Sequence, residues 1–170
     1  MDWSLEQLRQ ELEEVTEGLG EEGLSWHPEG KWCTAEILEH LYLTYKGTTK
    51  GLEHCLGLGN PNARKPTLRE RVGAIAVCNF GYLPEGRQSP ERARPKGLPH
   101  EQVLSLIGPQ LEAMEKGLGE CERRFGKNTR LMDHPVIGPL SAAQWRRFHC
   151  VHGRHHLRQI ARLKAMAPQG

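Results

Sequence analysis

The sequence predicts an all-α fold, an antiparallel helical bundle around one core. Three observations carry that expectation. Apolar residues recur at three- and four-residue spacing in long stretches, Ser/Thr-x-x-Glu/Gln capping boxes stand before several of them, and no run alternates apolar with polar residues as a half-buried strand does. The 170 residues are read as a single domain over 1–170, long enough for a real core.

Ser4-x-x-Gln7 is a capping box with Trp3 and Leu8 as its hydrophobic staple, so a first helix is expected over residues 5–19. Leu5, Leu8, Leu12, Val15 and Leu19 form its stripe, and its outer face is acidic. Residues 24–32 read as a loop broken by Pro28 and Gly30 and pinned by two tryptophans. Thr34 is placed as the N-cap of a second helix reaching Leu58, with Ile37, His40, Leu41, Thr44, Thr48, Gly51 and Cys55 inward. Thr67-x-x-Glu70 opens a short extra helix that carries Leu68, Val72, Ile75 and Ala76. Residues 84–99 hold four prolines among basic residues and read as a long surface connection. The next helix is expected over residues 100–125, with a bend or a late start at Pro109. Residues 127–140 read as a loop. Ser141-x-x-Gln144, with Leu140 and Trp145 as staple, then opens the last helix.

Composition narrows the function classes. A net charge of +2 is too small for a nucleic-acid partner, which needs clustered Lys and Arg. No run approaches the ~20 apolar residues of a membrane span, and the N-terminal stretch has no leader pattern, so a cytoplasmic location is expected. Five cysteines without a CxxC pair fit a reducing compartment, with Cys33, Cys55, Cys78, Cys121 and Cys150 as small buried apolar residues. The charge is uneven, acidic over the first 22 residues and basic over residues 87–96 and in the last helix, which suits solvated faces, contact between the two ends or a mildly anionic ligand.

Residues 145–160, WRRFHCVHGRHHLRQI, hold four of the nine histidines. His152 and His156 are one helical turn apart and share a stripe with Trp145, Gln159, Ile160 and Leu163, so both imidazoles look inward. His40 lies on the inward stripe of the second long helix. A lone inward histidine is usually a hydrogen-bonded core residue; an inward pair elsewhere turns the reading to a metal site. His155 projects ~100° from His156 and flanks the site, and His149 on the edge of the stripe is the substitute ligand.

The order W-C-T-A-E-I-L-E-H-L at residues 32–41, H-P-V-I-G-P-L at 134–140, Q-W at 144–145 and H-G-R-H-H-L-R-Q-I at 152–160 resembles the DinB/YfiT superfamily over nearly the whole chain. That resemblance implies a DinB-like four-helix bundle in which three histidines bind one divalent ion, zinc or nickel. Carried over by position, the ligands are His40, His152 and His156, in agreement with the helical arithmetic. Gln159 matches the family's glutamine and is expected beside the ligands, orienting His156 or satisfying a buried neighbour. Thr44, Trp145 and His155 are the candidate pocket positions.

Three imidazoles without a carboxylate leave a coordination position open, as in catalytic zinc sites. An ion there lowers the pKa of water towards ~7 or ionises a thiol. Gly153 and Arg154 follow His152, so the HExxH base of metalloproteases is absent. The expectation is a metal-dependent enzyme acting on a small-molecule substrate; the resemblance implies the thiol S-transferase or hydrolase type, with a low-molecular-weight thiol as partner. The alternative is a non-catalytic metal-binding stress or interaction module. A homodimer is expected from the resemblance alone. Arg154 and Arg158 are placed outward, and Gly153 is either room beside the ion or a tolerated surface glycine.

Overall fold

A computed structural model describes residues 3–61, 63–83 and 89–167, and the fold is mostly helical with one small two-stranded sheet. Ser4 opens α1 (Leu5–Thr16) by accepting the Gln7 N–H at 3.2 Å. The helix stops short of Leu19, and residues beyond Gly20 form a further short helix, α2 (Glu21–Ser25), whose first turn carries Glu21 and Glu22 at the positive end of its dipole. The sequence puts the start of a loop there. α3 (Thr34–Leu58) is capped by Cys33 rather than Thr34: the Cys33 N–H donates to the Glu36 carboxylate at 2.8 Å, and Thr34 is the first helical residue.

α4 (Leu68–Phe80) has the expected capping box, Thr67 with Glu70, and ends at Gly81 in the left-handed conformation (φ 68°). Its buried face is made of small residues, Ala74, Val77 and Cys78, while Leu68, Val72 and Ile75 lie on the outer face. α5 (His100–Phe125) starts on time and runs through Pro109. Pro109 and Ser105, whose carbonyl loses its partner, are both exposed, so water can take the place of the missing N–H.

Residues 127–140 are not all loop. β1 (Arg130–His134) pairs antiparallel with β2 (Gly138–Ser141), Met132 opposite Leu140 and His134 opposite Gly138. Each strand is only four or five residues long and β2 is buried throughout, so neither shows the alternation by which a strand is recognised. Ser141 closes β2 and caps α6 (Ala142–Met166), its Oγ accepting the Gln144 N–H while Gln144 Oε1 accepts the Ser141 N–H at 3.1 Å.

α3 packs along α5, and α6 touches α1, α3, α4 and α5. Leu8, Leu41, Tyr45, Leu52, Leu118 and Ile160 are fully buried in the shared core. Gly153 is buried rather than a surface glycine, and the room it gives is not for an ion: a Cβ there would meet Leu8 Cδ1 at 2.7 Å and the Tyr45 hydroxyl at 3.1 Å, so the glycine lets α1 and α3 close on α6. Arg154 does not point into solvent, because its guanidinium reaches Glu11 of α1 at 2.9 and 3.0 Å; Arg158 is exposed. The acidic first helix and basic last helix therefore meet. All five cysteines are free thiols and buried, and no described helix is long and apolar enough to cross a membrane.

Candidate metal centre

His40 on α3 and His152 and His156 on α6 come together. His152 Nε2 lies 3.2 Å from His40 Nε2 and 3.1 Å from His156 Nε2, and the ligand atoms of the trio all fall within 4.8 Å of one another. His40 and His156 are buried, and His152 is partly so. The tautomers follow from the outer nitrogens. His40 Nδ1 faces the Ala93 carbonyl at 2.7 Å and His156 Nδ1 faces Gln159 Oε1 at 2.8 Å; both acceptors demand a proton on Nδ1 and leave Nε2 as a lone pair. Two lone pairs thus converge on His152, whose own Nδ1 is buried without a partner. A single proton on His152 Nε2 cannot serve both neighbours fully.

A cation resolves that excess of lone pairs. At ~2.0–2.1 Å per nitrogen, a tetrahedral ion separates its ligands by about 3.3 Å, close to the two spacings about His152. The three-histidine group can therefore hold a metal ion. Burial lowers the proton affinity of all three rings: His156 is pushed down to about 3, His152 lies well below its ordinary value, and His40 is lowered too; repulsion from the neighbouring rings adds to the shift at His152 and His156. Near neutral pH the rings are unprotonated, the form that binds metal.

Gln159 does more than fill space. Its Oε1 fixes His156 and its Nε2 lies 3.1 Å from His155 Nε2, so one amide ties the flanking histidine to a ligand. Phe148 stacks on His152 at 5.4 Å between centroids, and Trp32 lies 5.2 Å from His40, so aromatic rings wall the cluster. The other sequence-derived positions are less central. Thr44 returns its hydroxyl to the His40 carbonyl at 2.8 Å, a bond within the helix, and the Trp145 ring stacks on His149 at 5.7 Å. His149 is fully buried, bonded to the Thr48 hydroxyl at 3.1 Å, pushed by burial to about 3, and outside the convergent trio. It is core.

Two contributors escape the sequence. The connection that reads as surface chain is mostly exposed over residues 89–99, yet it is tied to α3: a 3-10 turn, Glu91–Ala93, packs there through buried Ala93 and supplies the carbonyl that orients His40. Pro84 and Arg87, part of the same stretch, lie outside the described residues. That turn is held by Glu39, whose buried carboxylate accepts the backbone N–H groups of Lys96, Gly97 and Leu98 at 2.7, 3.0 and 3.1 Å. The one signal for it in the sequence is an acid beside His40 in an otherwise apolar helix segment. His134 is the second. Its Nδ1 accepts the N–H groups of Val136 and Ile137 in the hairpin turn, and its ring sits 4.3 Å from that of Phe148, which backs His152.

Comparison with known proteins adds a family. No curated protein and no solved structure matches the chain. A family model described as a protein of unknown function (DUF1569) matches residues 1–163. The chain, with its three-histidine cluster, belongs to the DUF1569 family.

Proposed function

We propose that this is a metal-dependent enzyme of DinB-like four-helix architecture, in which His40, His152 and His156 hold one zinc or nickel ion and a small electrophile is attacked by a low-molecular-weight thiol or by water. The observation that carries the reading is the convergence of three Nε2 atoms with two of the outer nitrogens already committed to acceptors. Imidazole donors suit zinc and nickel, and a set of neutral ligands leaves the ion's double charge uncancelled, which favours an anionic nucleophile such as a thiolate. Bound there, the ion acts as a Lewis acid that makes a thiol or a water nucleophilic near neutral pH.

The chain's own residues hold the rest in place. Ala93 and Gln159 lock the tautomers and aim the rings; Trp32 and Phe148 line the cluster with aromatic rings; His155, tied to Gln159 and 5.2 Å between centroids from His156, is a further imidazole for a proton. The test pairs elemental analysis of the purified protein with His40→Ala and a turnover screen of low-molecular-weight thiols against alkylating electrophiles, with ester and amide panels beside it. One ion per wild-type chain, lost in His40→Ala, together with metal-dependent turnover is the expected result. Less than one ion per chain, or unchanged metal content in the variant, refutes the site. Tight metal without turnover leaves a non-catalytic metal-binding module and refutes the enzyme.

A further inference from the structure

The apolar residues of α4 face away from the protein, and cations surround them. On a helix, Leu68, Val72 and Ile75 fall at i, i+4 and i+7, one stripe opposite the face formed by Ala74, Val77 and Cys78 that packs on α6 and β2. The three are 78 %, 60 % and 49 % exposed, and Phe80 and Tyr82 at the end of the helix are 79 % and 64 % exposed. Together they leave on the order of several hundred Å² of apolar surface, the size at which an exposed patch marks an interaction surface. Arg69 and Arg71 are exposed on opposite flanks of the stripe at its N-terminal end. At its other end the Arg147 guanidinium of α6 reaches the Oδ1 of Asn79, exposed and in line with Val72, at 3.3 Å. Glu70, the one carboxylate of α4, lies on the far side of the helix and is bound by Arg64.

A basic groove adjoins the stripe. An open cavity of about 740 Å³ beside the start of α4 is lined by Arg64, Lys65, Arg71 and Arg130, and Arg71 belongs to both groove and stripe. Arg64 is neutralised by Glu70 and by Asp133, the latter at 2.9 Å. Arg130 is half-buried, and its Nη1 donates to neutral acceptors, the Pro139 carbonyl at 2.6 Å and Gln144 Oε1 at 3.3 Å. Among the described residues no carboxylate pairs with Lys65, Arg69, Arg71, Arg130 or Arg147.

We propose that this face docks on a bilayer that contains anionic phospholipid, with the stripe in the headgroup region and a lipid phosphate in the groove. The order of chemistry across the face matches that of a membrane interface. A ridge of aliphatic side chains is held out by a helix that packs on its small residues, aromatic rings stand at the edge, and cations at both ends and on both flanks reach the phosphates while their stems stay on apolar ground. Each such cation near an anionic surface strengthens binding about fivefold. An apolar patch alone would suit many occupants; five cations without carboxylate partners around it select a negatively charged one.

The experiment is co-sedimentation of the full chain with phosphatidylcholine vesicles, pure or holding about 30 % phosphatidylglycerol, at 0.1 and 0.5 M salt. Wild type is run beside Val72→Glu, which spoils the stripe, and the pair Lys65→Glu with Arg71→Glu, which reverses the groove. All three positions are exposed, so helix content is retained, checked by circular dichroism; Val72→Gln repeats the first arm without a charge. The expected result is at least tenfold stronger partition of the wild type onto the anionic vesicles than onto the neutral ones, weakened by salt and reduced at least tenfold by either change. A wild type that stays in the supernatant with anionic vesicles overturns the proposal, as does equal binding to neutral ones, or a folded Val72→Glu or Lys65→Glu/Arg71→Glu variant that binds like wild type. Binding of inorganic phosphate without vesicle association overturns it too, in favour of a soluble anion. Metal content plays no part in these readouts.

Discussion

Replacing Glu39 by Gln should loosen the metal centre without touching a ligand. The carboxylate is 2 % exposed and accepts three backbone N–H groups, one on Oε1 and two on Oε2. Hydrogen bonds to a charged group contribute about 1.5–3 kcal/mol each and neutral ones about 0.5–1.5. A glutamine whose carbonyl keeps the pair at Gly97 and Leu98 weakens both and sets its own N–H groups against that of Lys96. The loss is roughly 3–5 kcal/mol, a large part of the ~5–15 kcal/mol that holds a typical domain. With a urea slope near 2 kcal/mol/M, the midpoint falls by about 1.5–2.5 M. The same substitution frees the segment that carries Ala93, so His40 loses its orienting acceptor and metal affinity drops by about tenfold to a hundredfold. Urea unfolding followed by circular dichroism and a chelator competition for zinc measure the two effects. An unchanged midpoint refutes the carboxylate's role in stability; a lower midpoint with unchanged zinc affinity refutes the link from Glu39 through Ala93 to His40.

Gln159→Leu keeps the volume and removes the acceptor for His156 Nδ1, and should weaken zinc binding about tenfold to a hundredfold in the same competition while the unfolding midpoint of the metal-free protein moves little. Gly153→Ala should destabilise the protein by about 1–3 kcal/mol through the clash with Leu8 and Tyr45, even though alanine favours the helix by about 1 kcal/mol; a stabilised variant would show that α1 gives way freely. Acid should unfold the metal-free protein early. Burial holds His134 at about 4 and His149 and His156 at about 3, below the ordinary 6.5, so the unfolded chain binds more protons than the folded one between pH 6.5 and about 4. Stability is fully present above pH 6.5 and falls as the pH drops, by about 2 kcal/mol per such ring by pH 5. A midpoint independent of pH from 7 to 5 would contradict this, and saturating zinc should move the acid transition to lower pH.

The helices were legible in the sequence because their signals are local. Capping boxes at Ser4, Thr67 and Ser141 mark helix starts that the structure keeps, and the 3.6-residue spacing brings His152 and His156 to one side of α6. His40 was legible for the same reason, as an inward residue on a long stripe. What escaped depends on contacts between distant segments. The hairpin is two strands too short for a period, and its second strand is buried on every residue. Leu68, Val72 and Ile75 form as regular a stripe as any in the chain, yet periodicity gives no sign of which way a stripe faces, and α4 turns its small side inward. Glu39 reads as one more acidic helix residue until the three N–H groups that arrive from 57 to 59 residues away are seen. Arg154 reads as solvated until α1 brings Glu11 to it.

That last joint bears on how the molecule forms. Glu11 and Arg154 are 143 residues apart and His40 and His152 are 112 apart, so α6 docks against segments that the chain must gather over almost its whole length. Closing such a loop adds little to the equilibrium penalty, which grows only with the logarithm of length, but contacts this distant slow folding. Until α6 docks, the three imidazoles are ordinary exposed bases scattered along a flexible chain. The histidine cluster therefore exists only once α6 has docked, and an ion that needs all three rings can be held only by the folded chain.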